Sequence, residues 1–545
     1  MPNSHCQRTS RKFIGWVALW LGACITNPLA GAELKLTVLD EHDQPLPCRV
    51  LLRPVGEKCR VPKGATSLTI GPDIWFMSAG SSRVNLPAGQ ALLRVEHGLE
   101  YERFKEVIDI TDGTTTKTIT LPRWVNMKNH GYACGENHLH VGTEKLAPML
   151  TAEGLDFGTS LTWFNGPERG RPVPDGEGKE RNLRFGNHSV PTSIYDAELE
   201  YGWGAAYIQN LQAPLPLVSD RQRPNLDYLK HAVAEGAMVH YQAGWSREVC
   251  VDALLGLVHS VNVCNNNFHM HRYQQRSHYS NLLNVPGFPA YPNTEEGMMR
   301  MNTDTYYRLL NWGLRLAAGA GSATGVKQSP AGYNRAYVRL QPDADIDAFY
   351  QHWMAGQNFV TNGPILLFHT ADNSRPGDTI ALPDEGATIK VHLTVLTGPA
   401  QTLENIEIIV NGEVSATIPV SDPHHASGEA TVTIHRGAWI AARCTAEDKL
   451  LSDEELAVFS QGSDEARFRM RPSRLRFAHT SPIYITVGGR NAAVRTSIEE
   501  GLQMLKQINV YARDAASVEH LPDIQSAIDQ ARRKLNARLA DAPSK

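Results

Sequence analysis

Apolar and polar residues alternate along Leu34-Lys35-Leu36-Thr37-Val38, and a period of two places every second side chain on one face of a β-strand. Short runs of similar character follow at Arg49-Val50-Leu51-Leu52, Ala91-Leu92-Leu93-Arg94-Val95 and Thr118-Ile119-Thr120-Leu121, with turn residues between them. This pattern predicts a small β-sandwich over residues 33–122. From 123 to 370 the period changes. Asn225 is placed to cap a helix whose apolar face is Leu226, Leu229 and Val233, closed by Gly236 and followed at once by the strand Met238-Val239-His240-Tyr241. The same helix–glycine–strand grammar occurs at Leu146, Met149, Leu150, Gly154 and 157–162, and again at Ile346, Phe349, Trp353, Gly356 and Phe359-Val360-Thr361. Repetition of that unit predicts an α/β domain with mainly parallel strands, as a barrel or an open sheet, whose chemistry sits at the carboxyl ends of the strands.

Alternation returns after 371 in the runs 389–395 and 406–410, the second followed by Asn411-Gly412, a hairpin signal. A second sandwich is expected over 371–490. The last segment, 491–545, carries Ile498, Leu502 and Leu505, then Ile524, Ile528, Ala531 and Leu535, at the spacing of two amphipathic helices. The fold class is therefore multidomain, α/β plus β.

A chain of 545 residues exceeds one core, which agrees with this division. Hydrophobic content of 42% and charged content of 20% are those of a globular protein, and a net charge of −4 without basic clusters excludes nucleic acid as a partner. At the N-terminus Arg8, Arg11 and Lys12 precede the apolar run Phe13 to Ile25, and Ala30-Gly31-Ala32 supplies small residues for a signal peptidase. That run is shorter than the roughly 20 residues of a membrane-spanning helix. Residues 1–32 are read as a signal peptide of an exported, periplasmic or secreted protein. The alternative is a lipoprotein signal, in which Leu21-Gly22-Ala23-Cys24 leaves Cys24 acylated as a membrane anchor. Export permits disulfides among the six cysteines beyond this segment, with Cys48–Cys59 and Cys250–Cys264 as candidate pairs.

Candidate chemistry begins in the α/β region. His138 and His140 lie two apart and share a strand face, so both imidazoles can reach one metal ion, and neutral imidazole suits Zn, Mn or Fe. His269 and His271 form a second such pair within the polar run Asn265-Asn266-Asn267-Phe268-His269-Met270-His271, after the strand 258–263. Glu136 and Glu198 are the carboxylates that would complete the shell. His240, alone on its strand, reads as a core histidine. The aromatics Trp203, Tyr207, Trp245 and Tyr279 are available either to line a cleft or to pack in the core.

Gly135-Glu136-Asn137-His138-Leu139-His140 resembles the Gly-Asp-x-His-x-His opening of the PHP (polymerase and histidinol phosphatase) superfamily, in particular its CehA/McbA-type metallohydrolases. Further stretches carry the resemblance: Ala152 to Asp156, Tyr307 to Gly313, Gly332 to Arg335, Gly356 to Pro364 (similar to Gly-Arg-x-Phe-Val-Thr-Asn-Gly-Pro), and Ala478 to Tyr484. It covers 123–490 and implies a distorted (β/α)7 barrel with up to three metals. Separately, Leu39 to Pro47 resembles the opening of carboxypeptidase-regulatory-like sandwiches, which implies a structural or adhesive role for 33–122. The chain departs from the metallohydrolase pattern where Leu161-Thr162-Trp163-Phe164 replaces an Asp-His, Gly204-Ala205 replaces a Gly-His, and Gly321-Ser322-Ala323-Thr324-Gly325 replaces Gly-Ser-Asp-x-His.

Two expectations follow. One is an exported metal-dependent hydrolase with a reduced site, in which His138, His140, Glu136, Glu198, His269 and His271 hold one or two divalent ions and a phosphoester, ester or amide of a small molecule or polymer is cleaved. The other is a non-catalytic ligand- or polymer-binding protein that keeps the barrel and holds no metal.

Overall fold

The computed structural model describes residues 32–71, 73–244, 246–270, 272–274, 290–449, 468–470 and 473–542. The leader, Cys24, Trp245, His271 and Tyr279 lie outside them.

The alternating runs near the N-terminus form two sheets. A five-stranded one runs in the order 67–70, 73–78, 48–54, 89–96, 104–110, and a three-stranded one in the order 81–86, 32–39, 114–120. Leu34, Leu36, Val50, Leu52, Leu93 and Ile119 share one core between them. Burying side chains of this size contributes roughly 1.5–3 kcal/mol each. The first described strand begins at Ala32, which pairs with Leu86.

The three helix–glycine–strand units are present as helices Thr143–Ala152, Asn225–Ala234 and Ile346–Met354, followed by strands Gly158–Phe164, Met238–Gln242 and Asn358–Thr361. Gly154, Gly236 and Gly356 reverse the chain at φ of 64°, 79° and 74°, a region where a Cβ is unfavourable. Asn225, expected to cap its helix, is its first residue and makes no side-chain cap. The buried Glu248 carboxylate instead accepts the amides of Asn225 and Leu226, at 2.8 and 3.1 Å. Asn225 Nδ2 turns inward to the Tyr241 hydroxyl, at 2.9 Å. A distant acid outcompetes the local cap.

The central sheet has seven strands, and six of them run in the order 158–164, 188–201, 204–209, 238–242, 260–264, 317–320, with 180–185 added against 188–201. It is mixed. Strands 158–164 and 188–201 are parallel, as are the neighbours 238–242, 260–264 and 317–320. The hairpin 188–201/204–209 and the pair 204–209/238–242 are antiparallel, because the turn at Tyr201-Gly202-Trp203-Gly204 needs no helical crossover. The segment 134–140 meets both edges of this sheet. Cys134 O accepts the amides of Asp156 and Phe157 just before strand 158–164, while Asn137 N donates to Ala320 O at the end of strand 317–320 and His140 N to Thr324 O just past it.

A nine-stranded sheet crosses the boundary expected at 370. It runs from strands of the C-terminal sandwich through 473–480 to 358–361, 335–339 and 132–135, joined by pairs such as Phe359↔Thr480 and Tyr337↔Cys134. Opposite it lies a three-stranded sheet, 365–370, 387–396 and 425–434. Asn411 and Gly412, at φ of 50° and 91°, form the expected hairpin turn. Helices Arg495–Ala515 and Leu521–Asp541 close the chain by packing on each other and on the central region through Ile498, Leu505, Ile524 and Leu535. Among the described residues no helix is long and apolar enough to cross a membrane.

All six described cysteines are free, so neither candidate disulfide forms. Their sulfurs are engaged elsewhere: Cys59 Sγ accepts the Ile74 amide, Cys250 Sγ faces Arg247 O, and Cys264 Sγ faces Asn334 Oδ1.

Candidate metal centre

Past Gly135 the chain leaves its sheet and runs beside residues 320–324, which orients His138 and His140 to one side. The Ala323 amide donates to His138 O at 2.8 Å, and the His140 amide donates to Thr324 O at 2.8 Å. Asn137, just before them, is held by a reciprocal amide pair with Asn262, at 2.7 and 2.9 Å, and by Gln209 Nε2 on its carbonyl. From outside, the Arg171 guanidinium donates to His140 O. These contacts fix the backbone of the His-x-His segment on both sides.

The third member, Glu198, comes from strand 188–201. Asn165, at φ of 52°, clamps that strand: its amide donates to Glu198 O at 2.9 Å, and its Oδ1 accepts the Glu200 amide at 2.7 Å. The Glu198 carboxylate then sits 3.3 Å from His138 Nε2 and 2.9 Å from His140 Nε2, and the two Nε2 atoms are 2.8 Å apart. The three side chains form the only group of at least three convergent metal-ligating residues among the described residues. His138 and Glu198 are each 2% exposed and His140 is 7% exposed.

Burial opposes the charge on Glu198, yet the two imidazoles outweigh that cost and hold its carboxyl well below the usual range. Burial also lowers His138, with Glu198 opposing. His138 Nδ1 is buried without a hydrogen-bond partner. Both imidazoles point their Nε2 atoms at one carboxylate, a donor set of two imidazole nitrogens and one carboxylate oxygen. That set fits a divalent transition metal, with protein ligands fewer than four.

The surroundings are largely aromatic. Tyr207 stands directly across from Glu198 in register, its ring 4.3 Å from that of His138, and its hydroxyl bonds Gln242 Oε1. The Phe164 ring meets His140 edge-on at 5.1 Å. Phe164 occupies the stretch where the resemblance anticipates a ligand pair. Gly321 and Gly325 press the other degenerate stretch onto the histidines: a Cβ on Gly321 would lie 2.6 Å from His138 Cβ, and one on Gly325 would lie 2.5 Å from His140 O.

The remaining expected ligands lie elsewhere. Glu136 is buried but turns away from the group and accepts the amides of Ser322 and Gly332, each at 2.5 Å. Burial pushes its carboxyl up to about 8, with those amides opposing. It ties the loops after strand 317–320 together and takes no part in the His–His–Glu group. His269 is buried in the run 265–270, which is packed interior and not a solvated loop, and it does not join the group. His271 is outside the described residues. His240 is core: its Nδ1 meets Ser260 Oγ at 2.8 Å and its ring meets Trp353 edge-on. Trp203 and Tyr207 are fully buried.

Spacing alone does not place Tyr207 beside the histidines, nor Asn165 and Arg171 on the ligand-bearing backbone. The tight turn at 202–203 was the available signal for Tyr207, since a hairpin there sets Glu198 opposite it. A cavity of about 390 Å³ lies between the N-terminal sandwich and the central region, lined by His97, Glu100, Lys128, Asp156 and Arg335, away from the histidines. Comparison with protein-family models, with curated proteins and with solved structures finds no match.

Proposed function

We propose that this protein is an exported metal-dependent hydrolase with a reduced ligand set, acting on a phosphoester, ester or amide bond of a small-molecule or polymer substrate. The reading rests on one observation: His138 and His140, from the segment beyond strand 132–135, converge with Glu198 of strand 188–201, their ligand atoms 2.8–3.3 Å apart in a buried, walled site. A divalent ion of the Zn, Mn or Fe type held by them would supply Lewis acidity and activate water for hydrolysis. The residues of the chain do the rest. Asn137, Asn165 and Arg171 hold the ligand-bearing backbone, and Phe164 and Tyr207 exclude bulk water from the imidazoles. Phe164 and Glu200 also line a cleft of about 350 Å³ with Arg169 and Arg221, whose charges suit an anionic substrate. The hydrogen bonds of segment 134–140 to both sheet edges support a PHP-like barrel as the scaffold, and the leader supports export.

The near-complete burial of the group favours a second reading, in which the barrel has lost its chemistry and binds a ligand or polymer. Metal analysis separates the two. After repletion with Zn, Mn or Fe, the hydrolase reading expects about one equivalent of bound metal, lost in His138→Ala, and turnover of a phosphoester or ester panel that fails in the same variant. Less than about one-tenth equivalent of metal, unchanged by that substitution, leaves the binding protein.

A further inference from the structure

Three parts of the chain meet along a seam of buried charge. Arg49 of the N-terminal sandwich bridges Glu96 and Glu153, and Arg94 pairs with Glu96 at 3.1 Å. Arg103 forks onto Asp448 at 2.7 and 2.9 Å, and Arg476 Nε reaches the same carboxylate at 2.8 Å. Arg335 of the central region donates to Glu153 O at 3.0 Å. Among the described residues five guanidiniums (Arg49, Arg94, Arg103, Arg335, Arg476) thus meet three carboxylates (Glu96, Glu153, Asp448), an excess of two positive charges. The neighbouring Glu295 and Glu100 do not correct it, because each is matched by its own arginine, Arg474 and Arg123. All but Arg103 are buried, where uncompensated charge is costly.

Unused donors mark where the compensation belongs. Arg49 Nε, Arg476 Nη1 and Tyr333 Oη are buried without a hydrogen-bond partner among the described residues. The residues that carry them line one small cavity of about 30 Å³, together with Arg103, Arg335 and the carboxylates Glu96 and Glu153 that Arg49 already engages. The Arg476 guanidinium lies 4.9 Å from the centre of the Tyr333 ring. Burial and the Arg103 charge push Arg476 down to about 9, far from an arginine's usual value. The volume is that of one water or one monatomic ion. The excess of guanidiniums over carboxylates around the cavity favours an anion over a neutral water.

We propose that this cavity binds a single small inorganic anion, chloride by its size, held by Arg49, Arg476 and Tyr333. The anion accepts all three unused hydrogen bonds and offsets half of the charge excess. It also joins the N-terminal sandwich, the central region and the C-terminal sandwich at one point, so its occupancy governs how firmly they dock.

The test uses the full chain, exchanged into sodium gluconate and compared with chloride and bromide at equal ionic strength. Chloride and bromide are expected to raise the melting temperature saturably by several degrees, and gluconate is not. Crystals grown in bromide are expected to give an anomalous peak within about 3.5 Å of Arg476 Nη1 and Tyr333 Oη. Tyr333→Phe, a mild change, should raise the half-saturating bromide concentration about tenfold, by the loss of one hydrogen bond to a charged group, and leave metal content at the His138 group unaltered. Equal melting in all three salts, or ordinary water density without an anomalous peak, overturns the proposal. The crystal measurement on the unaltered protein decides the matter even where an Arg476→Gln variant fails to fold.

Discussion

Glu198 and Tyr207 face one another across an antiparallel strand pair, and this register delivers the carboxylate to both imidazoles while setting the tyrosine ring against His138. The ring is thus a mould for the imidazole. Tyr207→Ala is expected to weaken metal affinity about 10–100-fold, the usual range for residues that orient a ligand. Tyr207→Phe keeps the ring, loses only the bond to Gln242, and should bind metal nearly as well. Competition with a chromogenic chelator measures both.

Glu136 and its two amide donors give a contrasting expectation. Glu136→Gln must turn an amide NH2 toward either the Ser322 or the Gly332 N–H. Two donors then face each other in the interior, at a cost of about 1–3 kcal/mol. Urea unfolding should report that loss while metal stoichiometry stays the same. A fall in metal content without a fall in stability would make Glu136 a ligand after all.

The loop over the histidines has unequal sensitivities at neighbouring positions. Ala323 is held at φ 53°, a left-handed conformation that costs an L-residue about 1–2 kcal/mol. Ala323→Gly relieves this, but it loses a buried methyl group worth about 0.8 kcal/mol and adds unfolded-state entropy of about 0.4–1 kcal/mol, so stability should change little. Gly325→Ala drives a Cβ to 2.5 Å from His140 O at φ 101° and should destabilise by more than about 2 kcal/mol. Chemical denaturation of the two variants tests the contrast.

Glu248 and Asp252 form a buried acidic pair behind the central sheet. Burial pushes Asp252 up to about 7, with the Tyr241 hydroxyl bond opposing, and burial and Asp252 push Glu248 up as well. A raised carboxyl pKa means that the unfolded chain releases its proton first. Stability from this site is therefore full below about pH 4 and falls as pH rises toward 7. Asp252→Asn keeps an acceptor for Tyr241 and removes the penalty. Its melting temperature should exceed that of the unaltered protein at pH 8, and the gap should close toward pH 4.

Periodicity made most elements legible. The period-two runs at 34–38 and 406–410 became strands, and the glycines at 154, 236 and 356 ended helices as local backbone preference requires. His138, His140 and Glu198 were each nameable from sequence, the first two from their spacing. What spacing does not carry is tertiary competition. Asn225 has the chemistry of a cap, yet Glu248 takes the helix amides from a position later in the chain. Glu136 sits two residues before His138, and still the loop amides at 322 and 332 claim it. The parallel sheet was over-read because a two-residue turn at 202–203 lets strands 188–201 and 204–209 run antiparallel. The C-terminal sandwich looked separable because alternation reports which face is buried and not which strand lies alongside.

That last pairing bears on how the chain is made and handled. Strands 132–135, 335–339 and 358–361 are completed by 473–480, so the central region emerges from synthesis with an unsatisfied sheet edge until nearly the whole chain is available. An open edge invites association with other chains, and pairing over such separations is slow. A truncation at 370 would preserve that vulnerable intermediate permanently. The smallest piece worth expressing ends beyond residue 480.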